Sequence, residues 1–364
     1  MFIENKRYRG DKCTMESISV NFIKKARKIY TLLQDEESKE IFKKKFLYII
    51  TGEDKYWLQI IMNRDVENYK KLEKAKTDKL IIYGAGNMCE ASRNSCMALG
   101  HRISYICDRD KNKQGKILFG IKVISPEELI KNHLDATVVI GTSDYEKEVR
   151  EWLEKYYEEE NIITLVSKNT LEHQLKQYFE ESIMQYQDGE VFVDCGCYDF
   201  ESSERLMDIC NVKKIYAFEP DSQNVEKIKV RVEALRCMDK VKLYNCGLWN
   251  ESARLSFNAS GDMMSKVCVN GGGMGKVDVE ALDNLIKEKV TFIKMDIEGS
   301  EMKALQGGKN LIQTYKPKLA ISIYHKLEDL VDIPSYIHQL VPEYRFFIRH
   351  YFYSPAETVL YAII

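Results

Sequence analysis

The chain carries no excess of charge of one sign: 54 Lys and Arg stand against 56 Asp and Glu, a net charge of −2. That balance removes the broad basic surface that draws nucleic acid or an anionic membrane. Long apolar runs are also missing, and no stretch approaches the ~20 consecutive apolar residues of a membrane span. The opening residues, MFIENKRYRGDKC, are charged and contain no apolar segment, so no secretory signal is expected. Ten cysteines are present, yet they make no CxxC…CxxC pattern and no Cys/His cluster at zinc spacing. No metal ligand set is assigned. Cys107, Cys195 and Cys246 fall inside apolar runs and read as small buried hydrophobes of a reducing compartment, which predicts a cytoplasmic location. Six prolines and a broad charge mix give no pointer to a protein partner. There is no low-complexity tract and no internal sequence repeat.

What is present is an ordinary globular composition, 45% hydrophobic and 30% charged. At 364 residues the chain is too long for one ordinary core and reads as two domains plus a helical piece. Between about 16 and 76 apolar residues recur at helical spacing: Val20, Ile23, Ala26, Tyr30 and Leu33, then Ile41, Phe46, Ile49 and Ile50. This segment, 1–77, is expected to be a helical cap or a dimerisation element, the route to a homo-oligomer.

From Lys79 the pattern alternates. LIIYGAGN is a buried-strand run ending in a glycine turn, and MCEASRNSCMALG a helix closed by Gly100. ISYICD, ATVVIGT and NIITLV supply further strands, with EKEVREWLEKYYEEE as a helix between the last two. Strands alternating with helices mean a parallel sheet with crossovers, so 78–168 is read as a small Rossmann-like domain. A polar, helix-prone stretch over 168–188 leads to a second series, 169–364. Its strands are VFVDCG, KIYAFEP, VKLYNCGL, TFIKMD, LAISIYH, YRFFIRHY and TVLYAII, the last two expected to pair as an antiparallel hairpin. An insertion, ARLSFNASGDMMSKVCVNGGGMGKVDVEALDNLI, predicts a small β-excursion around Gly271, Gly272 and Gly273. The fold class is therefore α/β, with two tandem Rossmann-like domains after a helical segment.

Three strand ends carry chemistry. Asp194-Cys195-Gly196-Cys197-Tyr198-Asp199 closes the first strand of the second domain, at the edge where doubly wound sheets bind ligands. Its glycine lets backbone approach a ligand closely. Glu219, 25 residues after Asp194, ends the next strand, where a carboxylate can accept both hydrogen bonds of a ribose diol; an acidic strand end is otherwise a solvated turn. Lys294-Met295-Asp296-Ile297-Glu298-Gly299-Ser300-Glu301 ends the fourth strand. It is either an acidic helix start or a pair of carboxylates, Asp296 and Glu298, facing a pocket.

These segments, with YNCGLWN, FIKMDIEGSEMKALQGG, PKLAISIYHKLEDL and ETVLYAI, make the run from Val191 to the C-terminus resemble the FkbM-type S-adenosylmethionine-dependent methyltransferases. The resemblance implies a seven-stranded class I methyltransferase sheet and S-adenosyl-L-methionine as cofactor. It implies that Asp194 and Gly196 sit against the methionine part, Glu219 holds the ribose, and Asn245, Gly247 and Leu248 border the adenine. Asp296 is implied to lie beside the reacting centre. One departure stands out: the family's first motif usually has a second glycine where this chain has Phe200, and a bulky residue there is expected to narrow the cofactor site.

The stretch YGAGN…YICDRDKNKQGKILFGIKVISPEEL resembles the nucleotide-sugar-binding domains that accompany bacterial sugar acyltransferases and glycan-modifying enzymes. Gly84 and Gly86 match two positions of a dinucleotide fingerprint, Cys89 replaces the third glycine, and Asp108 ends the following strand. Of the histidines, His101, His133, His173 and His338 read as surface residues, while His350, with Arg349, and His325 end strands near Asp296. The function expected is methyl transfer, to an oxygen in preference to a nitrogen, of a small-molecule, sugar or glycan-precursor acceptor. Such a displacement asks for alignment and a way to remove the acceptor proton. His325 is the expected base, with Asp296 and Glu298 beside it; a divalent cation held by the two carboxylates is the other route. Two alternatives stand: an NAD-dependent oxidoreductase acting through GAGN, and a non-catalytic binding protein with a degenerate cofactor site.

Overall fold

A computed structural model of the chain describes residues 19–62, 66–75, 79–86, 88–165, 172–258, 266–268, 275–352 and 355–364. It separates into two units: Met1–Phe46 with Lys176–His350 and Ala356–Ile364, and Leu47–Leu175 with Tyr351–Pro355. The helical segment expected as one piece over 1–77 is thus divided between them.

The second of these units holds β1 (Leu80–Tyr83), β2 (Ile103–Cys107), β3 (Ile117–Leu118), β4 (Ile121–Ile124), β5 (Thr137–Ile140) and β6 (Ile162–Thr164). They form one sheet in the order β3-β4-β2-β1-β5-β6, parallel except for the β3–β4 hairpin. Successive residues of β1 alternate between its faces. Leu80 and Ile82 pack with Trp57, Leu58, Tyr69 and Leu72 of the helices Lys55–Met62 and Val66–Lys74. Ile81 and Tyr83 pack with Leu129, Val149 and Leu153 on the other face. Gly100 takes φ +84 after the helix Met88–Ala98, as a C-terminal cap requires. His101, expected at the surface, is buried.

The first unit contains the larger sheet. Its strands are β7 (Val191–Cys195), β8 (Lys214–Phe218), β9 (Val241–Tyr244), β14 (Phe292–Met295), β15 (Lys318–Ser322), β16 (Arg345–His350) and β17 (Thr358–Ile363). The order is β16-β17-β15-β14-β7-β8-β9, with β16 and β17 antiparallel as expected and β14, β7, β8 and β9 parallel. The central strands are buried on both faces, as their largely apolar runs require. The expected strand over 241–248 is two. β9 stays in the large sheet, while β10 (Gly247–Leu248) pairs with β13 (Gly275–Glu280) in a separate sheet with β11 (Ala253–Asn258) and β12 (Lys266–Cys268). That sheet is the β-excursion; its Gly271–273 turn lies outside the described residues.

The first helix, Val20–Leu32, caps this unit rather than standing free. It buries Ala26 and Ile29, packs along the helix Asp329–Leu340, and pairs Lys25 with Asp332 at 2.8 Å. Leu33 then bridges to Phe346, and the Gln34 N–H donates to the Phe346 carbonyl at 3.0 Å, covering the β16 edge. Among the described residues no helix is long and apolar enough to cross a membrane. Eight described cysteines are free thiols, seven of them buried.

Candidate active site at the carboxyl ends of the central strands

In the large sheet the chain runs from β7 outward to β8 and later returns to β14 on the opposite side of β7. Ligands of open α/β sheets bind at such a switch point, beyond the carboxyl ends of the strands. Asp194, Glu219 and Asp296 come from the ends of β7, β8 and β14 and meet there.

Gly196 has φ +78, and a Cβ on it would lie 1.9 Å from the carbonyl oxygen of Asp296. Only glycine lets the ends of β7 and β14 approach so closely. Asp194 is fully buried. It accepts a 2.7 Å hydrogen bond from Ser203 and pairs with Lys294 at 3.1 Å, and Lys294 also donates to the Gly196 carbonyl at 2.7 Å. Burial pulls the Lys294 ammonium down, but the charges of Asp194 and Asp296 outweigh it and hold the group above its ordinary value. Sequence reasoning assigned Lys294 no role. Its signal was a charge in the middle of the buried run FIKM.

Glu219 is buried and accepts from the backbone N–H groups of Tyr198 at 3.1 Å and Asp221 at 2.9 Å. Burial raises its carboxyl, and these bonds offset part of the rise. Asn245 is exposed; it donates to the Glu219 and Pro220 carbonyls at 3.0 and 3.1 Å and accepts from Ser222. Gly247 and Leu248 are buried in β10, beside that loop. Phe200 keeps the left-handed conformation of the glycine it replaces, φ +72, at the start of the helix Glu201–Ile209. Its ring is wholly interior. The departure from glycine is thus felt as backbone strain.

At the end of β14 the carboxylates gather round one imidazole. His325 Nδ1 lies 2.9 Å from Glu301, and Nε2 lies 3.4 Å from Asp296 and 3.7 Å from Glu298. The His325 side chain is 8% exposed, Asp296 25%, and Glu301 not at all. Burial lowers the imidazole, yet Glu301, Glu298 and Asp296 together raise it well above its ordinary value. That direction weighs against His325 as the base expected from the sequence.

Asp296 receives Tyr178 OH at 2.7 Å and Tyr324 OH at 3.3 Å, and Tyr178 also meets Ser322 at 3.2 Å. Partial burial raises its carboxyl, but the charges of His325 and Lys294 and these hydroxyls hold it below the ordinary carboxylate value. Tyr324 reaches on to Glu357 at 3.3 Å, and burial pushes the Glu357 carboxyl up to about 7. Tyr178, Glu301, Tyr324 and Glu357 had no role in the sequence reading. His350 and Arg349 do not join this cleft: His350 is fully buried against Thr358 at 2.9 Å, and Arg349 is held by Asp35 and Glu37.

In the smaller Rossmann-like sheet, Asp108 is engaged inside its own loop. It accepts from the Ala85 N–H at 2.7 Å, the Asp110 N–H at 2.8 Å and Lys113 at 3.2 Å. Cys89 is buried where a dinucleotide fingerprint would have glycine. Neither observation favours the oxidoreductase alternative.

Against this geometry, residues 194–351 match the family model of the methyltransferase FkbM domain. This part of the chain is an FkbM methyltransferase domain. Residues 76–164 match a second model, C2185-like, N-terminal. No curated protein matches the chain. Among solved structures, methyltransferase FkbM from Methylobacillus flagellatus KT is 18% identical with a TM-score of 0.54, over 97% of this chain and 100% of that one. At that identity the likeness speaks to fold alone. An rRNA methylase from Streptococcus thermophilus is 17% identical over 53% of this chain and 92% of that one, with a TM-score of 0.34. Fibrillarin from Aeropyrum pernix, solved with natively bound S-adenosyl-L-methionine, is 9% identical over 53% of this chain and 74% of that one, with a TM-score of 0.33. The matched residues include Asp194, Glu219, Lys294, Asp296, Glu301 and His325, but not Tyr178 or Glu357.

Proposed function

We propose that the FkbM domain transfers a methyl group from S-adenosylmethionine to an oxygen, in preference to a nitrogen, of a small molecule, with a sugar or glycan precursor as acceptor. The observation that carries the reading is the linked pair of strand ends at the switch point: Glu219 accepts the Tyr198 N–H from the loop that follows Asp194 and Gly196. The residues suit the cofactor. Oε2 of Glu219 takes one backbone N–H and keeps a second lone pair for a ribose hydroxyl, while Oε1 takes the Asp221 N–H and a longer bond from Asn224 that a diol would displace. When bound, the cofactor supplies an electrophilic sulfonium methyl. Asp194, fixed by Ser203 and Lys294, and Gly196 border its methionine part, and the loop from Asn245 to Leu248 borders its adenine. Asp296, held by two tyrosines, orients the reacting end. Recognition of the acceptor falls to residues 78–168, and the balanced charge supports a small-molecule partner over nucleic acid or membrane.

Calorimetry with S-adenosylhomocysteine tests this reading and separates it from a non-catalytic protein with a closed site. Wild type should bind, and Glu219→Gln should bind at least tenfold more weakly, the loss of about 1.4 kcal/mol or more that a charged hydrogen bond carries. The amide keeps an acceptor for a backbone N–H, so its fold should persist, whereas alanine would orphan two buried donors. No binding by wild type, or equal binding by Glu219→Gln, would sink the assignment.

A further inference from the structure

The cluster at the end of β14 holds more negative charge than its one histidine balances. Asp296, Glu298 and Glu301 face a single imidazole, Glu301 on its Nδ1 side and Asp296 and Glu298 on its Nε2 side. Lys294 is committed to Asp194 and to the Gly196 carbonyl. Three buried atoms in the cluster, Nδ1 and Nε2 of His325 and Oε2 of Glu301, have ion-pair neighbours at most and no well-directed hydrogen bond. Buried polar atoms of this kind call for an explanation, and an ion is one of the few available.

The spacing suits a metal. One donor atom from each of Asp296, Glu301 and His325 lies within 4.8 Å of the other two. Ligands about 2.1 Å from an octahedral cation stand about 3 Å from their neighbours. From Nε2 of His325, Asp296 at 3.4 Å and Glu298 at 3.7 Å are close to that, while Glu301 meets the other ring nitrogen, Nδ1, at 2.9 Å. Carboxylates with one imidazole favour Mg²⁺ or Mn²⁺ over the soft metals that thiolates select. Backbone geometry supports the same grouping. Glu298 and Gly299 both have positive φ, +55 and +91, and the turn they make brings Glu298 back beside the imidazole.

We propose that Asp296, Glu301 and His325 hold a divalent cation of the Mg²⁺ or Mn²⁺ class, with Glu298 reaching it from the solvent side. The use of the cation rests on the methyl-transfer reading. An acceptor hydroxyl beside it loses its proton to water more readily. The hydroxyl oxygen then forms the new O–C bond as the S–C bond of the donor breaks. With the imidazole as a ligand, the cation takes the place of a protein base.

The test is Mn²⁺ titration of the full-length protein after EDTA treatment, with free Mn²⁺ read by electron paramagnetic resonance. Wild type should take up about one Mn²⁺ in a saturable manner, and Asp296→Asn and His325→Ala should bind at least tenfold more weakly. Glu298→Gln changes a partly exposed side chain and should weaken uptake several-fold even if the other variants fail to fold. No saturable uptake by wild type, or uptake that Glu298→Gln and Asp296→Asn leave unchanged, would overturn the proposal and leave an ion-pair network only. Calorimetry with S-adenosylhomocysteine on the same sample keeps the two readings apart. Donor binding without Mn²⁺ uptake defeats the metal alone, and Mn²⁺ uptake without donor binding defeats the methyl-transfer reading alone.

Discussion

Phe200 sets two forces against each other at a single position. Its φ of +72 costs a non-glycine residue roughly 1–2 kcal/mol. Its ring is fully buried, and truncating a buried phenylalanine costs about 3–5 kcal/mol. Burial wins. Phe200→Gly should therefore destabilise the protein by about 2 kcal/mol in urea unfolding, although it restores the residue usual in the family's motif. A variant as stable as wild type, or more so, would show that strain dominates and that the ring packs poorly. Glu219 obeys similar arithmetic, since its carboxylate closes a backbone turn before it can hold any ligand. The sequence placed it correctly at a strand end; that it also answers two backbone donors follows only from the loop's conformation.

Elements were legible where hydrophobic pattern alone decides them. The runs VFVDC, KIYAF, FIKM and KLAIS are central strands because nothing but a doubly covered sheet buries so many consecutive apolar residues. The run over 241–248 misled because β9 and β10 follow each other with the same composition while belonging to different sheets. The stretch after 171 misled too. Its polar periodicity reads as helix, but Tyr178 takes φ +66 and turns its hydroxyl to Asp296, a contact across 118 positions that no local pattern records. The helix Asp329–Leu340 brings a second buried acid to the same cluster. Burial, and next the charge of Glu301, push Asp329 up to about 7 from an ordinary 3.8. The folded state then binds more protons than the unfolded state between roughly pH 4 and 7, so stability falls as pH rises through that window and levels off above it. Glu357, also raised to about 7, adds to the fall. Asp329→Asn keeps an acceptor for the Lys326 N–H and should flatten the decline between pH 5 and pH 8. Urea midpoints measured in EDTA at those two values decide it: an unaltered difference would mean that Asp329 does not carry the effect.

At the scale of the whole molecule, the N-terminal helices matter more than their sequence position suggests. The sequence boundary at 169 invites a chain beginning near Asn169 as a way to isolate the second α/β series. The structure argues against it, because residues 19–46 belong to the same unit as the large sheet. Arg349 is buried, and its partners are Asp35, Glu37 and Ser38. Removing the partners of a buried charge costs about 3–5 kcal/mol, a large share of the stability of an ordinary domain. The β16 edge would also lose Leu33 and Gln34. A chain starting at Asn169 should accordingly be insoluble or unfold at much lower urea than the full-length protein. Joining residues 19–46 to 176–364 through a flexible Gly/Ser linker of about 20 residues, with a reach of roughly 25 Å, should restore folding. That variant lacks residues 78–168 and should bind S-adenosylhomocysteine with the affinity of the full chain. If it folds with a cooperative transition yet loses donor affinity, the two units share the donor site. Acceptor recognition could then no longer be assigned to residues 78–168 alone.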